Sequence, residues 1–125
     1  MPHLKIEYTG NLEAQAGMGA LCKALARTLV ELADGQGRGV FPFEGTRVLA
    51  YPAPYHAVAD GEGDKAFVYL NLRIAPGRGE ALLKQAGDAL LARTREHFAA
   101  LPASRPLRIT LHIDEGTPVY EGKLS

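Results

Sequence analysis

Three residues that lie far apart in the chain, Pro2, Arg47 and Arg78, could together move a proton on an acidic molecule. Removal of Met1 would make Pro2 the N-terminal residue, with a secondary amine in place of an amide nitrogen. A free α-amino group has a pKa of about 7.7–8.0, and burial or a nearby cation lowers that pKa. The Pro2 amine is therefore a candidate general base near neutral pH.

The two arginines stand at positions that suit anion binding. Arg47 begins a predicted strand after a turn that contains Phe41, and Arg78 lies in a tight turn at the start of a predicted helix. Backbone N–H groups at a helix start favour anions, and a planar guanidinium group can bind a carboxylate through two hydrogen bonds. With an amine base, two arginines would suit proton transfer on a dicarboxylic acid. Spacing alone favours the simpler alternative of two solvated arginines at loop ends.

Other kinds of site find little support in the sequence. No pair among the four histidines has the spacing of metal ligands, so we expect no metal site. Cys22 is the only cysteine, which excludes an intrachain disulfide, and it falls on the apolar face of a predicted helix. The glycine-rich stretch 34–39 follows a helix, whereas a dinucleotide fingerprint follows a strand and opens a helix. We interpret this stretch as a helix end and a loop.

Length and charge favour a small soluble domain. The 125 residues suit one domain, and 14 basic residues balance 14 acidic ones, so the formal net charge is zero. The chain has no basic run, which argues against nucleic acid or an anionic membrane as a partner. Its apolar runs are too short to span a bilayer, and no signal peptide is visible at the N-terminus. We therefore expect a cytoplasmic protein.

Hydrophobic alternation and helical periodicity predict an order of elements that repeats. The predicted elements are a strand at 3–8, a helix that begins after the N-cap Asn11 and ends before Asp34, strands at 47–51 and 66–74, a helix at about 80–101, and a strand at 107–114. This order is two strand–helix–strand units, with pseudo-repeats at about 1–58 and 64–115. We treat residues 1–125 as a single domain that ends in an arm at 116–125.

The repeated unit predicts an α+β fold. Strand–helix–strand crossovers join parallel strands and are right-handed in nearly all cases. Two such units side by side make a four-stranded mixed sheet with both helices on one face. The other face carries polar and apolar residues together: His3, Lys5, Leu49, Tyr51, Tyr69 and Asn71. A partner subunit could cover this face, and the arm at 116–125 could reach a neighbour.

Several stretches of the chain match a known family in order and nearly in spacing. They are Met1-Pro2-His3-Leu4 with Glu7 and Asn11; Phe41-Pro42 with Gly45 and Arg47; Ala59-Asp60-Gly61 with Asp64 and Ala66-Phe67-Val68; Leu72, Ile74 and Gly77-Arg78; and His97-Phe98-Ala99-Ala100-Leu101. On these residues the chain resembles the tautomerase superfamily and, within it, the 5-carboxymethyl-2-hydroxymuconate isomerase family.

The resemblance implies a tautomerase-like homotrimer with sites between subunits, a small carboxylate substrate and no metal or cofactor. It implies that Pro2 is the catalytic base for converting a dienol to an unsaturated ketone in homoprotocatechuate degradation. Arg47 would be a second catalytic residue, and Arg78 and Phe41 would bind substrate. Two alternatives stay open: a superfamily enzyme for another enol acid, such as an arylpyruvate, or a trimeric binding protein without activity.

Overall fold

The computed structural model describes residues 2–101 and 106–125. Met1, whose removal the interpretation of Pro2 requires, lies outside the described residues. The elements are β1 (His3–Thr9), α1 (Met18–Glu31), β2 (Arg47–Ala53), β3 (Ala66–Ile74), α2 (Glu80–Ala99) and β4 (Leu107–Glu115), with a short 3-10 helix at Gly10–Leu12. Within these residues, none of the helices has the length and apolar character needed to cross a membrane.

The sheet has the predicted mixed topology. Its strand order is β2-β1-β3-β4. β1 is parallel to β2, β3 is parallel to β4, and the two pairs meet where β1 runs antiparallel to β3. Two strand–helix–strand units thus join through their first strands, which confirms the α+β prediction of a four-stranded sheet.

The core lies between the helices and one face of the sheet. The strand residues that point to it are buried: Leu4, Ile6 and Tyr8 in β1, and Val68, Leu70, Leu72 and Ile74 in β3. Helix α1 adds Leu21, Leu25 and Leu29 at a spacing of four residues, and α2 adds Ala86 and Leu90. Truncating one such leucine to alanine costs about 2–5 kcal/mol, because it loses apolar burial and leaves a cavity.

The opposite face, called here the outward face, alternates with the core. In β1 it carries His3, Lys5 and Glu7, and in β3 it carries Tyr69, Asn71 and Arg73. These residues are exposed or half-buried, since neither helix packs on this side. The described helices therefore leave the outward face uncovered, as the alternation of polar and apolar residues predicts.

The predicted start of the first helix is wrong. Asn11 does not act as its N-cap; instead its Nδ2 donates to the Lys65 carbonyl over 2.8 Å, and the chain there forms the 3-10 turn. Helix α1 begins at Met18 after Gly17, whose φ of 60° lies in the left-handed region. Asn11 was misread because a long-range hydrogen bond and a local cap use the same side chain. The helix has 14 residues, where the periodicity predicted about 20.

The glycine-rich stretch is a loop, as predicted. Helix α1 ends at Glu31, and the Asp34 carboxylate then accepts hydrogen bonds from the backbone N–H groups of Arg38 at 3.0 Å and Gln36 at 2.9 Å. These two bonds, from Arg38 first and Gln36 second, hold the pKa of the Asp34 carboxyl below its ordinary value. Hydrogen bonds to the Asp34 carboxylate therefore hold this loop together.

Candidate functional site

Strand directions bring the candidate residues to one end of the sheet. Parallel strands β1 and β2 both begin at this end, next to Pro2 and at Arg47. Because β3 is antiparallel to β1, its last residues lie here too, and the turn that follows β3 contains Arg78. Strand β4, parallel to β3, also ends here at Glu115. We call this the Pro2 end of the sheet.

Pro2 is held firmly at this end. Its side chain is almost fully buried, with under 2 % of its surface exposed. Its carbonyl accepts a hydrogen bond from the backbone N–H of Arg47 over 3.2 Å, which extends the β1–β2 pairing by one residue. An amine at such a buried position would be poorly hydrated, and poor hydration favours its neutral form, the form that accepts a proton.

Arg47 points away from the core at the same place. It is exposed, and its register partner in β1 is His3, on the outward face. Among residues 2–101 and 106–125, its guanidinium group has no hydrogen bond or ion pair. The five N–H donors of this cation are therefore available to a ligand.

Arg78 is held by the segment that precedes β2. Its Nη1 donates to the Val40 carbonyl over 3.0 Å, and its guanidinium carbon lies 5.2 Å from the centre of the Phe41 ring. Phe41 is 6 % exposed, so its ring is a fixed surface for this cation–π contact. These contacts use one edge and one face of the guanidinium group, and the remaining N–H donors can bind an anion.

The turn that carries Arg78 depends on two glycines and on the end of β4. Gly77 and Gly79 have φ values of 95° and 88°, which side chains with a Cβ rarely adopt. The Gly77 N–H donates to the Glu115 carboxylate over 3.2 Å, and the Gly116 N–H donates to the Ile74 carbonyl over 3.0 Å. Contacts from β4 therefore fix the backbone on either side of this turn.

The four predicted site residues thus fall into two linked pairs at one end of the sheet. A backbone hydrogen bond joins Pro2 to Arg47, and a ring contact joins Arg78 to Phe41. Sequence reasoning missed Val40, which contributes only a carbonyl, and Glu115, which lies between the predicted strand at 107–114 and the arm at 116–125. A backbone acceptor has no signature in residue type, so no sequence signal could have identified Val40.

A large cavity lies at the opposite end of the sheet. It has a volume of about 780 Å³ and is lined by the first residues of β3 and β4, among them Phe67, Tyr69 and Leu107. The Tyr69 hydroxyl lies 3.0 Å from Nδ1 of His112 there. In the part of the chain that the structure describes, no group of three or more His, Cys, Asp or Glu residues could hold a metal ion.

Comparison with known proteins gives a consistent result. A family model described as 5-carboxymethyl-2-hydroxymuconate isomerase matches residues 2–125. A 5-carboxymethyl-2-hydroxymuconate Delta-isomerase from Escherichia coli is 32% identical over 123 residues, which are 98% of this chain and 93% of that protein. A crystal structure of a 5-carboxymethyl-2-hydroxymuconate delta-isomerase superposes with a TM-score of 0.94 and 45% identity, over 100% of this chain and 89% of its own.

A more distant structure shares only the fold. A fused 4-OT protein, described as a wild-type symmetric trimer, superposes with a TM-score of 0.59 and 21% identity. The match covers 90% of this chain and 85% of that one. It supports the tautomerase-like architecture without bearing on substrate.

Proposed function

The chain belongs to the 5-carboxymethyl-2-hydroxymuconate isomerase family, and we propose that it isomerises 5-carboxymethyl-2-hydroxymuconate with Pro2 as the base. The observation that carries this proposal is the burial of Pro2 beside Arg47 at the edge of the sheet. A secondary amine at this buried position, one strand away from a cation with no partner among the described residues, would have the environment that a base working near neutral pH needs.

The proton transfer is balanced without any other reactant. The Pro2 amine takes the proton of the 2-hydroxyl group, and the oxygen lone pair forms the C2 carbonyl. The two double bonds of the dienol shift along the chain, leaving one between C3 and C4. The protonated amine then returns its proton to C5, so the products are an α,β-unsaturated ketone and the neutral enzyme.

The two arginines have separate roles in this proposal. Arg47, next to Pro2, binds the C1 carboxylate and the oxygen that gains negative charge as the hydroxyl proton leaves. A donor aimed at growing charge lowers the barrier, because it is bound more tightly in the transition state than in the substrate. Arg78, held by Val40 and Phe41, binds the C6 carboxylate at the other end of the muconate chain.

We propose that the active protein is a homotrimer with sites between subunits. No helix or strand that the structure describes covers the outward face of the sheet, and three apolar residues of the arm are exposed: Val119, Tyr120 and Leu124. A fold relative is described as a symmetric trimer. Burying the arm and the far, more apolar end of this face in an interface would remove that apolar surface from water.

The proposed biological setting follows from the substrate. 5-Carboxymethyl-2-hydroxymuconate would arise in homoprotocatechuate degradation, and the product would pass to the next enzyme of that pathway. A cytoplasmic location belongs to the same proposal. No metal or cofactor has a part in the chemistry derived above.

Turnover of the dienol, followed by its ultraviolet absorbance, tests the proposal. Mass spectrometry of the same sample reports the fraction of chains without Met1, and light scattering reports the number of subunits. We expect a trimer whose activity scales with the processed fraction. A trimer that converts the enol of an arylpyruvate but not this dienol would indicate the alternative substrate. A trimer inert towards both would indicate a binding protein.

A further inference from the structure

A row of basic residues crosses the outward face at the Pro2 end. Strand register places Arg47 beside His3 and His3 beside Arg73. All three are exposed. Neighbouring strands lie about 4.8 Å apart, so the two arginines start about 10 Å from each other with one histidine between them. The row therefore presents two cations from the same face, next to Pro2.

Arg73 lacks a counter-ion among the residues that the structure describes. Its register partner in β4 is Asp114, but one Asp114 carboxylate oxygen accepts a hydrogen bond from Asn71 over 2.8 Å. In residues 2–101 and 106–125, the Arg73 guanidinium group makes no hydrogen bond or ion pair. A surface rich in one sign of charge raises the local concentration of ions of the other sign. The row thus suits a ligand with several negative charges.

The backbone beside Arg73 is shaped to admit its side chain. The guanidinium group lies over Gly116, the residue that follows β4, and a Cβ atom added at Gly116 would collide with it. The Gly116 N–H is itself bonded to the Ile74 carbonyl at 3.0 Å, which holds this glycine in place. Arg73 consequently lies beside the turn that carries Arg78.

The number of substrate charges exceeds the number of arginines assigned so far. A muconate has two carboxylates, and its carboxymethyl branch adds a third, whereas Arg47 and Arg78 account only for the two ends of the chain. We propose that Arg73 binds the carboxymethyl carboxylate, an inference that rests on the proposed function. Arg73 is then the residue by which the site prefers a tricarboxylate dienol to the unbranched dicarboxylate.

The decisive experiment compares two substrates in two variants. For Arg73→Ala, we expect kcat/KM for 5-carboxymethyl-2-hydroxymuconate to fall by about 10- to 100-fold, the effect of losing one charge-assisted hydrogen bond. The fall should come from KM, because the branch carboxylate takes no part in the proton transfer. With 2-hydroxymuconate, which lacks the branch, Arg73→Ala should match wild type. Equal losses on both substrates would overturn the assignment.

A conservative variant and a matched control separate binding from structure. Arg73→Lys keeps the charge and should recover part of the lost affinity for the branched substrate. Arg108→Ala removes the same charge from the same face of the sheet, but at the far end of β4, and should leave both substrates unaffected. Light scattering checks that all three variants keep the wild-type assembly. A KM change in Arg108→Ala as large as that in Arg73→Ala would reduce the effect to general electrostatics and overturn the proposal.

Binding of inert acids decides the role of Arg73 even if the dienol is not turned over. Titration calorimetry compares propane-1,2,3-tricarboxylate with glutarate, which lacks the middle carboxylate. The difference measures how much the third charge contributes to the binding free energy. We expect wild type to prefer the tricarboxylate and Arg73→Ala to lose that preference. Absence of the preference in wild type, or its persistence in Arg73→Ala, contradicts the proposal. Failure of dienol turnover with this preference intact would contradict only the proposed function.

Discussion

The two ends of the outward face differ in cavity volume and in the number of arginines that lie side by side. At the far end, a cavity of about 780 Å³ is lined by Arg108 and by Tyr69 and His112, whose hydroxyl and Nδ1 lie 3.0 Å apart and whose rings meet edge to face. At the Pro2 end, Arg47 and Arg73 have no partners among the described residues. Two arginines in one row beside a buried proline, and not empty volume, therefore distinguish the end suited to chemistry.

The contrast has a physical reason. Covering an apolar recess with any well-fitting apolar surface is favourable. Such a recess therefore suits a subunit contact as much as a ligand. An exposed guanidinium group is hydrated, so an ion pair with it adds little binding free energy unless the carboxylate binds with good geometry. Such groups identify the chemical class of a ligand, which volume alone does not.

The largest expected effect at the Pro2 end concerns the proline nitrogen. A form that retains Met1 should be about 10²–10⁴-fold less active than the processed form, because an amide nitrogen cannot take the proton. Mass spectrometry identifies the two forms, and the dienol assay compares them. In the processed form, kcat/KM should rise with pH through a group that titrates below about 7.7, because burial and a nearby cation disfavour the protonated amine. Equal activity of the two forms would remove Pro2 from the mechanism.

Arg47 should give the next largest effect. Arg47→Ala should lower kcat by about 10²–10³-fold, since it removes a donor aimed at charge that develops in the transition state. Steady-state kinetics on the trimer measures this loss. Arg108→Ala, at the far end of the same face, is the control for a lost surface charge. A variant with wild-type kcat would mean that Arg47 is only a solvated surface residue.

Arg78 should have a smaller effect of a different kind. It binds the substrate before and during the reaction, so Arg78→Ala should raise KM by about 10- to 100-fold and change kcat much less. Phe41→Leu keeps an apolar surface but removes the ring, and should raise KM by a lesser factor because only the cation–π contact is lost. If kcat falls and KM stays constant in Arg78→Ala, the roles given to Arg47 and Arg78 must be exchanged.

The smallest expected effect is on stability and concerns Tyr8, which lies on the core side of β1 at the far end of the sheet. Burial, followed by a hydrogen bond of 2.5 Å to Glu13, raises the pKa of Tyr8 from 10.0 to about 12. Between these values the folded chain keeps a proton that the unfolded chain releases. The contribution of Tyr8 to the free energy of unfolding is complete below pH 10. It should be lost as pH rises towards 12, at up to about 1.4 kcal/mol per pH unit. Denaturant titrations of wild type and Tyr8→Phe measure this, and equal slopes above pH 10 would contradict it.

Local patterns predicted the strands better than the first helix. The strand predicted at 66–74 matches Ala66–Ile74, and the one at 107–114 matches Leu107–Glu115 but for one residue. Apolar residues alternate with more polar ones from Val68 to Ile74 and from Leu107 to Asp114, and alternation is a local signal. The helix start at Asn11 failed because the partner of that side chain lies more than fifty residues away, at Lys65. No window of neighbouring residues contains such a bond.

The candidate site divides in the same way. Residue type and position alone identified Pro2, Arg47, Arg78 and Phe41, and their assigned roles are predictions that the variants above test. Arg73 escaped notice because, within its own strand, it is one more polar residue in an alternating pattern. The role proposed for Arg73 depends on its position two strands away from Arg47, with His3 between them.

The sequence by itself determined which segments become strands and helices, which face of each is apolar, and which family the chain resembles, because these follow from residue type and short-range spacing. Only the tertiary structure decided that Pro2, Arg47, Arg73 and the turn carrying Arg78 meet at one end of the sheet. Strand direction and register set that meeting, and both depend on pairing between segments far apart in the chain. Pairing in this register also places the charged end and the large cavity at opposite ends of the same two strands, β3 and β4.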